Sequence, residues 1–164
     1  MMSEKTKIQS NPLNTKEIFK IIKQVSLILG KPLTPKEIEI IDAGCPHKQP
    51  SSLDENTAAV YCFALDEKIL KIGKANKKSS ARFVSQHYGF SAPSTLAKSL
   101  YNDHSMKTKG LPNNKKDMKK WMLNNLHRID IIIKCNYPEW ATTLIEGILH
   151  YKYNPLYEGN IIKK

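Results

Sequence analysis

Two ionisable side chains, Tyr61 and Lys71, lie in neighbouring apolar runs that the sequence predicts to be the strands of a β-hairpin. The runs, residues 58–65 and 68–74, are rich in Val, Ile, Tyr and Phe. Because opposed residues of a hairpin point to the same face, the pairing decides whether the two side chains meet. A lysine ammonium beside a tyrosine lowers the pKa of the phenol, which makes Tyr61 a candidate general base.

The apolar pattern selects one register for this hairpin. A three-residue loop over residues 66–68 pairs Leu65 with Ile69 and Tyr61 with Gly73. It puts Tyr61, Phe63, Lys71 and Gly73 on one face, and leaves a continuous apolar face for the core made of Val60, Cys62, Ala64, Leu70 and Ile72. A two-residue turn would place Tyr61 and Lys71 on opposite faces and mix the lysine with apolar residues. We therefore expect the first register.

The charge of the chain indicates a polyanionic partner. Its 164 residues include 26 Lys plus Arg against 15 Asp plus Glu, a formal net charge of +11. Nucleic acid is the first partner to expect and an acidic membrane surface the second. A predicted helix carries four of the lysines, Lys115, Lys116, Lys119 and Lys120, and it either faces phosphates or is a solvated charge run.

Several classes of protein are excluded by the same composition. No apolar run approaches the roughly 18 residues of a membrane span, and residues 1–12 lack the apolar core of a secretory signal. We therefore expect a cytoplasmic protein with no membrane partner. Three scattered cysteines are typical of buried thiols, and Cys45 and His47 lack the second ligand pair that a zinc site needs.

The elements that position these residues are predicted as one α+β domain with an extension. A flexible N-terminus (1–13) precedes a helical extension (14–45), whose second helix opens with a capping box at 34–37, and a linker (46–57). The core (58–164) is predicted as the hairpin, helices over 79–88 and 94–103, the basic helix, a strand over 129–135 and a helix over 138–153. This order indicates a small three-stranded, mostly antiparallel sheet flanked by helices and preceded by a helical hairpin.

Two tripeptides on the hairpin carry a family resemblance. With Ala59-Val60-Tyr61 and Lys71-Ile72-Gly73, the chain resembles the GIY-YIG nuclease family over residues 58–160. Arg82 matches the arginine that the family places on the next helix, and Glu146 matches the glutamate on its last core helix. Pro155 and Tyr157 fit the family's ending. The chain departs from the pattern at Ala59, Lys71 and Glu158, and its Lys71 is similar to the lysine of some restriction endonucleases of the family.

The resemblance implies a divalent-metal-dependent DNA endonuclease, of the restriction type. It implies one Mg²⁺ or Mn²⁺ ion held by Glu146, and Arg82 contacting phosphate oxygens. Tyr61 would be the general base, with Lys71 lowering its pKa, orienting water or contacting phosphate. His87 and Tyr88 are further catalytic candidates close to the phosphate, although surface and interfacial roles fit them equally. His150, four residues after Glu146, could orient that carboxylate or contact the metal ion, but packing is the favoured interpretation.

The expected partner is double-stranded DNA, with no small-molecule cofactor. Candidate DNA contacts outside the catalytic set are Lys74, Ser94, Thr95 and Lys98, the last three on a helix that could enter a groove. The two N-terminal helices are expected to add either DNA contacts or a homodimer interface. The alternatives are a non-catalytic nucleic-acid-binding module on the same fold, and a nuclease of repair or of mobile elements.

Overall fold

A computed structural model describes residues 12–158 as helices packed on both faces of a four-stranded antiparallel sheet. The regular elements in chain order are α1 (Thr15–Ile28), β1 (Ile38–Gly44), β2 (Ala58–Leu65), β3 (Lys68–Asn76), α2 (Ser80–Val84), α3 (Leu96–Asn102), α4 (Met118–Asn125), β4 (His127–Ile133) and α5 (Pro138–Tyr153). Short 3₁₀ turns at 77–79, 86–88, 104–109 and 115–117 join them. The α+β class is confirmed. Within the described part of the chain, no helix is long and apolar enough to cross a membrane.

The predicted three-stranded sheet and N-terminal helical hairpin are wrong, because residues 38–44 form a strand. Half of the capping box forms: the Glu37 carboxylate accepts hydrogen bonds from the amide and hydroxyl of Thr34, each at 3.0 Å, while the Glu37 amide donates to the Thr34 carbonyl. It closes only one turn. The β-branched residues that come next pair with β4, Ile38 opposite Ile133 and Ile40 opposite Ile131. Strand pairing therefore overrides the local helix signal.

The sheet order is β1-β4-β2-β3, so β4 lies between β1 and β2. One buried cluster, the first core, lies between the sheet and α2, α3 and α4, and includes Tyr61 and Phe63. The second core lies between the other face and α1 and α5, and includes Val60 and Cys62. Leu13, predicted to be part of a flexible segment, is buried in the second core. Residues 1–11 of that segment lie outside the described residues.

The hairpin register is confirmed at the site and wrong at the turn. Tyr61 pairs with Gly73 and Phe63 with Lys71, so Tyr61 and Lys71 share a face. The turn has two residues, however, and Leu65 pairs with Lys68 instead of Ile69. A bulge at Leu70 inserts one extra residue in β3 and restores the register beyond it. The bulge also places Leu70 in the first core. Both faces of the hairpin are buried, one in the first core and the other in the second.

Candidate active site

Tyr61 lies in the middle of β2 and is only 2% exposed. Its ring covers Gly73 on β3 so closely that a Cβ atom built at residue 73 would lie 2.5 Å from the Tyr61 hydroxyl oxygen. The phenol oxygen lies 2.7 Å from Nε2 of His87. The glycine of the Lys71-Ile72-Gly73 tripeptide is therefore required by the position of the Tyr61 ring.

The tautomer of His87 is set by its second hydrogen bond. The backbone N–H of Leu96 can only donate, and it reaches Nδ1 of His87 at 3.3 Å. Burial, with smaller effects from the charges of Lys71, Arg128 and Arg82, lowers the pKa of His87 to about 3, so the imidazole is neutral. Its single proton is then on Nε2, which donates to the Tyr61 oxygen. The hydroxyl proton of Tyr61 is left to point elsewhere.

Burial raises the pKa of Tyr61 well above its ordinary value, and the nearby charges of Arg82 and Arg128 oppose that rise. The phenol is therefore protonated at neutral pH in this state of the protein. A phenolate would need further positive charge beside it, such as a bound divalent cation. The His87 N–H already points at the oxygen on which the negative charge would form.

Lys71 is half-buried and donates from Nζ to the carbonyl oxygen of Tyr157 at 3.3 Å. Burial lowers the pKa of Lys71, and the charge of Arg82 acts in the same direction. The carboxylates of Glu158 and Glu146 act in the opposite direction. The pKa of Lys71 is thus lower than that of an ordinary lysine, although two carboxylates act against the shift.

Arg82 lies on α2, exposed to solvent, on the wall of a cavity of about 130 Å³ shared with Lys74 and Thr143. Its guanidinium makes no hydrogen bond or ion pair with any described residue. A planar fork of donors with no acceptor among residues 12–158 suits a phosphate group.

Glu146 on α5 is paired with Lys74 on β3, with 2.9 Å between Oε2 and Nζ. The Lys74 ammonium also donates to the Thr143 hydroxyl at 3.1 Å. No three His, Cys, Asp or Glu side chains in residues 12–158 come together as a metal site. Mg²⁺ is often held by one or two carboxylates, with water and substrate phosphate completing its shell. Glu146 fits such an ion as its protein ligand once Lys74 has moved away.

Glu158 is a site residue that the family pattern marked only as a departure. One carboxylate oxygen accepts from the Ile72 amide at 3.4 Å, and the other lies 3.2 Å from Nε2 of His150. Burial is the largest cause that raises the pKa of Glu158, while the charges of His150 and Lys71 oppose it. His150 therefore contacts Glu158 and the Ile72 carbonyl, at 3.1 Å, and not Glu146.

The guanidinium of Arg128 is a buried cation close to the ring of Tyr61. Arg128 on β4 is 1% exposed and donates to Asp130, to the Tyr88 hydroxyl and to the Phe83 carbonyl at 2.8 to 2.9 Å. Its guanidinium carbon is 5.8 Å from the centre of the Tyr61 ring. Arg128 was not predicted as a buried residue, because an arginine next to a basic helix is usually on the surface. The sequence does contain one signal for its burial: Arg128 and Asp130 are two residues apart at the start of a β-branched run, so they lie on the same face of a strand.

Tyr88 belongs to this buried layer. It is 4% exposed, and its hydroxyl lies between Arg128 and Nε2 of His47, which is 2.8 Å away. The other His47 nitrogen contacts the Leu126 carbonyl at 2.7 Å. All the hydrogen-bonding capacity of the Tyr88 hydroxyl is thus used inside the protein.

The predicted DNA-contact residues fall in three places. Lys74 is in the site, whereas Ser94 and Lys98 are exposed on and before α3. Thr95 is buried and caps α3 by accepting from the Lys98 amide. The four lysines of the basic helix, Lys115, Lys116, Lys119 and Lys120, are all exposed. Lys115 lies over the rings of Phe90 and Tyr101, at 5.4 and 6.0 Å from their centres.

Comparisons of this chain with protein-family models, with curated proteins and with solved structures found no match.

Proposed function

We propose that this protein is a divalent-metal-dependent DNA endonuclease of the GIY-YIG type, with a restriction-type role as its best subclass. The observation that carries the proposal is that Tyr61, Lys71, Arg82 and Glu146, from β2, β3, α2 and α5, lie close enough for the charges of Arg82 and Glu146 to act on the other two. A phenol, an amine, a guanidinium and a carboxylate can together supply the base, the charge stabilisation and the metal ligand that phosphodiester hydrolysis uses.

Each residue has a role that its surroundings support. Arg82 binds non-bridging oxygens of the scissile phosphate, where charge accumulates in the transition state. Tyr61 would act as general base only after its own phenol proton has been lost to solvent: its oxygen, held by Nε2–H of His87, then takes a proton from the attacking water. Lys71 is the proposed positive charge that favours this phenolate. Glu146 would hold Mg²⁺ or Mn²⁺, which when bound neutralises negative charge on the phosphate and the departing oxygen. Lys74, released from Glu146, is then free for a neighbouring phosphate of the double-stranded DNA.

The decisive experiment compares Glu146→Gln with a matched control on plasmid DNA and Mg²⁺. Glutamine keeps the shape of the side chain but is a weak metal ligand, so cleavage should fall by at least 100-fold while DNA binding persists. The control is Glu17→Gln, since Glu17 forms a similar ion pair, 2.7 Å from Lys152, on α1. This control should cut normally. Full cleavage by Glu146→Gln would refute the assignment.

The second candidate is a non-catalytic nucleic-acid-binding module on the same fold. The ion pair between Lys74 and Glu146 favours it, because it neutralises the carboxylate without a metal ion. Tight DNA binding with no cleavage in Mg²⁺ or Mn²⁺, across plasmids of varied sequence, would select this candidate. A repair or mobile-element nuclease would instead cut without a fixed short recognition sequence.

A further inference from the structure

The outer sides of α1 and α5 leave a long apolar groove between them. The helices run antiparallel, because Glu17 at the start of α1 pairs with Lys152 at the end of α5, while Leu29 and Trp140 at their other ends line one hollow. We call the two adjoining hollows, of about 580 and 610 Å³, the α1/α5 groove. They share Leu144, and their lining includes Val25, Ala141, Ile148 and Tyr151.

Several large apolar side chains along this groove are mostly exposed to solvent. Trp140 is 77% exposed, Tyr151 95% and Tyr137 68%. Only Lys31, Glu37 and Lys152 bring charge to the lining. A chain with a net charge of +11 therefore keeps one face almost free of its cations. Contiguous apolar surface of this kind marks an interaction site.

The groove supplies most of the area that a stable interface requires. With about 200 Å² for a fully exposed aromatic side chain, Tyr137, Trp140 and Tyr151 at 68%, 77% and 95% exposed leave roughly 500 Å² uncovered. Leu29, which also lines the groove, is 56% exposed and adds to it. The total, roughly 600 Å², is most of the roughly 800 Å² that each partner contributes to a standard interface.

Other occupants fit the groove less well. Nucleic acid is excluded by the apolar lining, which offers phosphates almost no cations. The parts of the sequence outside the described residues contain five large apolar side chains, Met1, Met2, Ile8, Ile161 and Ile162, interspersed with polar and charged residues. They include no aromatic residue and are too polar to fill both hollows. A second copy, in contrast, brings an equal apolar surface.

We infer that the α1/α5 groove is the surface on which two copies of this chain associate as a two-fold symmetric dimer. Lys31 and Glu37 have opposite charges at one end of the groove, so Lys31 of one copy can face Glu37 of the other. Thr143 lines both the groove and the Arg82 cavity, so the interface begins where the candidate active site ends. If the proposed nuclease function holds, the dimer carries two active sites at a fixed separation, one for each DNA strand.

The test is the mass of the full chain by sedimentation equilibrium from about 1 to 100 µM. The chain of 18.7 kDa should sediment with twice that mass. Trp140→Lys, at an exposed position, should raise the dimer Kd about 100-fold or more while the chain stays folded by circular dichroism, with a Tm that no longer rises with protein concentration. The control is Ile41→Lys on β1, where an apolar side chain that is 42% exposed lies outside the groove, and it should remain dimeric.

Two outcomes would overturn the inference: a monomer at every concentration, and a dimer that Trp140→Lys leaves intact. If the chain is a monomer and deletion of 1–11 or 159–164 shifts its Trp fluorescence to longer wavelength, the chain covers its own groove. Since mass is measured without DNA, a dimer that cuts no DNA refutes only the nuclease proposal, and a monomer that cuts DNA refutes only the dimer.

Discussion

Gly73→Ala should destabilise the protein, because the new methyl group would collide with the Tyr61 ring. Its Cβ would lie 2.5, 2.7 and 2.8 Å from three atoms of that side chain. In a strand, alanine gains roughly 0.5–1 kcal/mol over glycine from lower chain entropy, while overpacking a filled core costs about 1–3 kcal/mol. Since the ring is buried and held by His87, overpacking wins. We expect a net loss of about 1 kcal/mol and a Tm lower by about 2–4 °C.

The assay is thermal and urea denaturation of Gly73→Ala with two comparisons. Gly147→Ala, compared in the Trp140→Lys background where the proposed dimer is absent, is the matched control: no atom of the chain lies within 4 Å of a Cβ at this helical glycine, and it should gain up to about 1 kcal/mol. In a Tyr61→Leu background the clashing ring atoms are gone, so Gly73→Ala should become neutral or stabilising. A loss of the same size in both backgrounds would show that the cost does not come from the Tyr61 ring.

Four further predictions concern the site and its surroundings. His87 stays neutral when folded, since burial lowers its pKa to about 3, whereas the unfolded chain gains a proton near pH 6.5. As the pH drops from about 6.5 towards about 3, the free energy of unfolding should therefore fall by up to about 1.4 kcal/mol per pH unit. His87→Gln should flatten that slope in urea titrations; an unchanged slope would contradict the assigned protonation. Tyr88→Phe should cost about 1–3 kcal/mol in urea by leaving Arg128 and His47 short of a partner, whereas Tyr101→Phe, which removes a surface hydrogen bond, should cost less; equal costs would argue against the buried network. Tyr61→Phe should abolish cleavage, and Lys71→Met should move the rising limb of the pH–rate profile to higher pH; normal turnover of Tyr61→Phe would remove Tyr61 as the base. Replacing Lys116 and Lys119 with Ala should reduce the salt dependence of DNA binding, by a slope of about 0.9 for each phosphate that is no longer neutralised; an unchanged slope would assign this surface to solvent.

Local patterns predicted most of the elements but not how the sheet is completed. The Tyr61–Gly73 pairing was predictable from apolar alternation, and α1 and α5 from their caps and periodicity. Residues 38–44 could not be assigned locally, because the capping box ahead of them does form a turn and only the edge of β4 makes the next residues a strand. Glu158 and Arg128 were missed for a related reason. A carboxylate or guanidinium becomes part of a site only through partners distant in the chain, such as Ile72 and Tyr88.

The strand order sets constraints on how this protein folds as it is synthesised. β4 is the last strand made, yet it lies between β1 and β2 and pairs with both. Until residue 133 has left the ribosome, β2 has an unpaired edge, although every one of its residues is buried in the finished protein. Pairings over such sequence separations form slowly and leave apolar edges open to other chains. Truncated or stalled chains that end before β4 should therefore aggregate, and slower synthesis of residues 66–126 should lower the yield of folded protein.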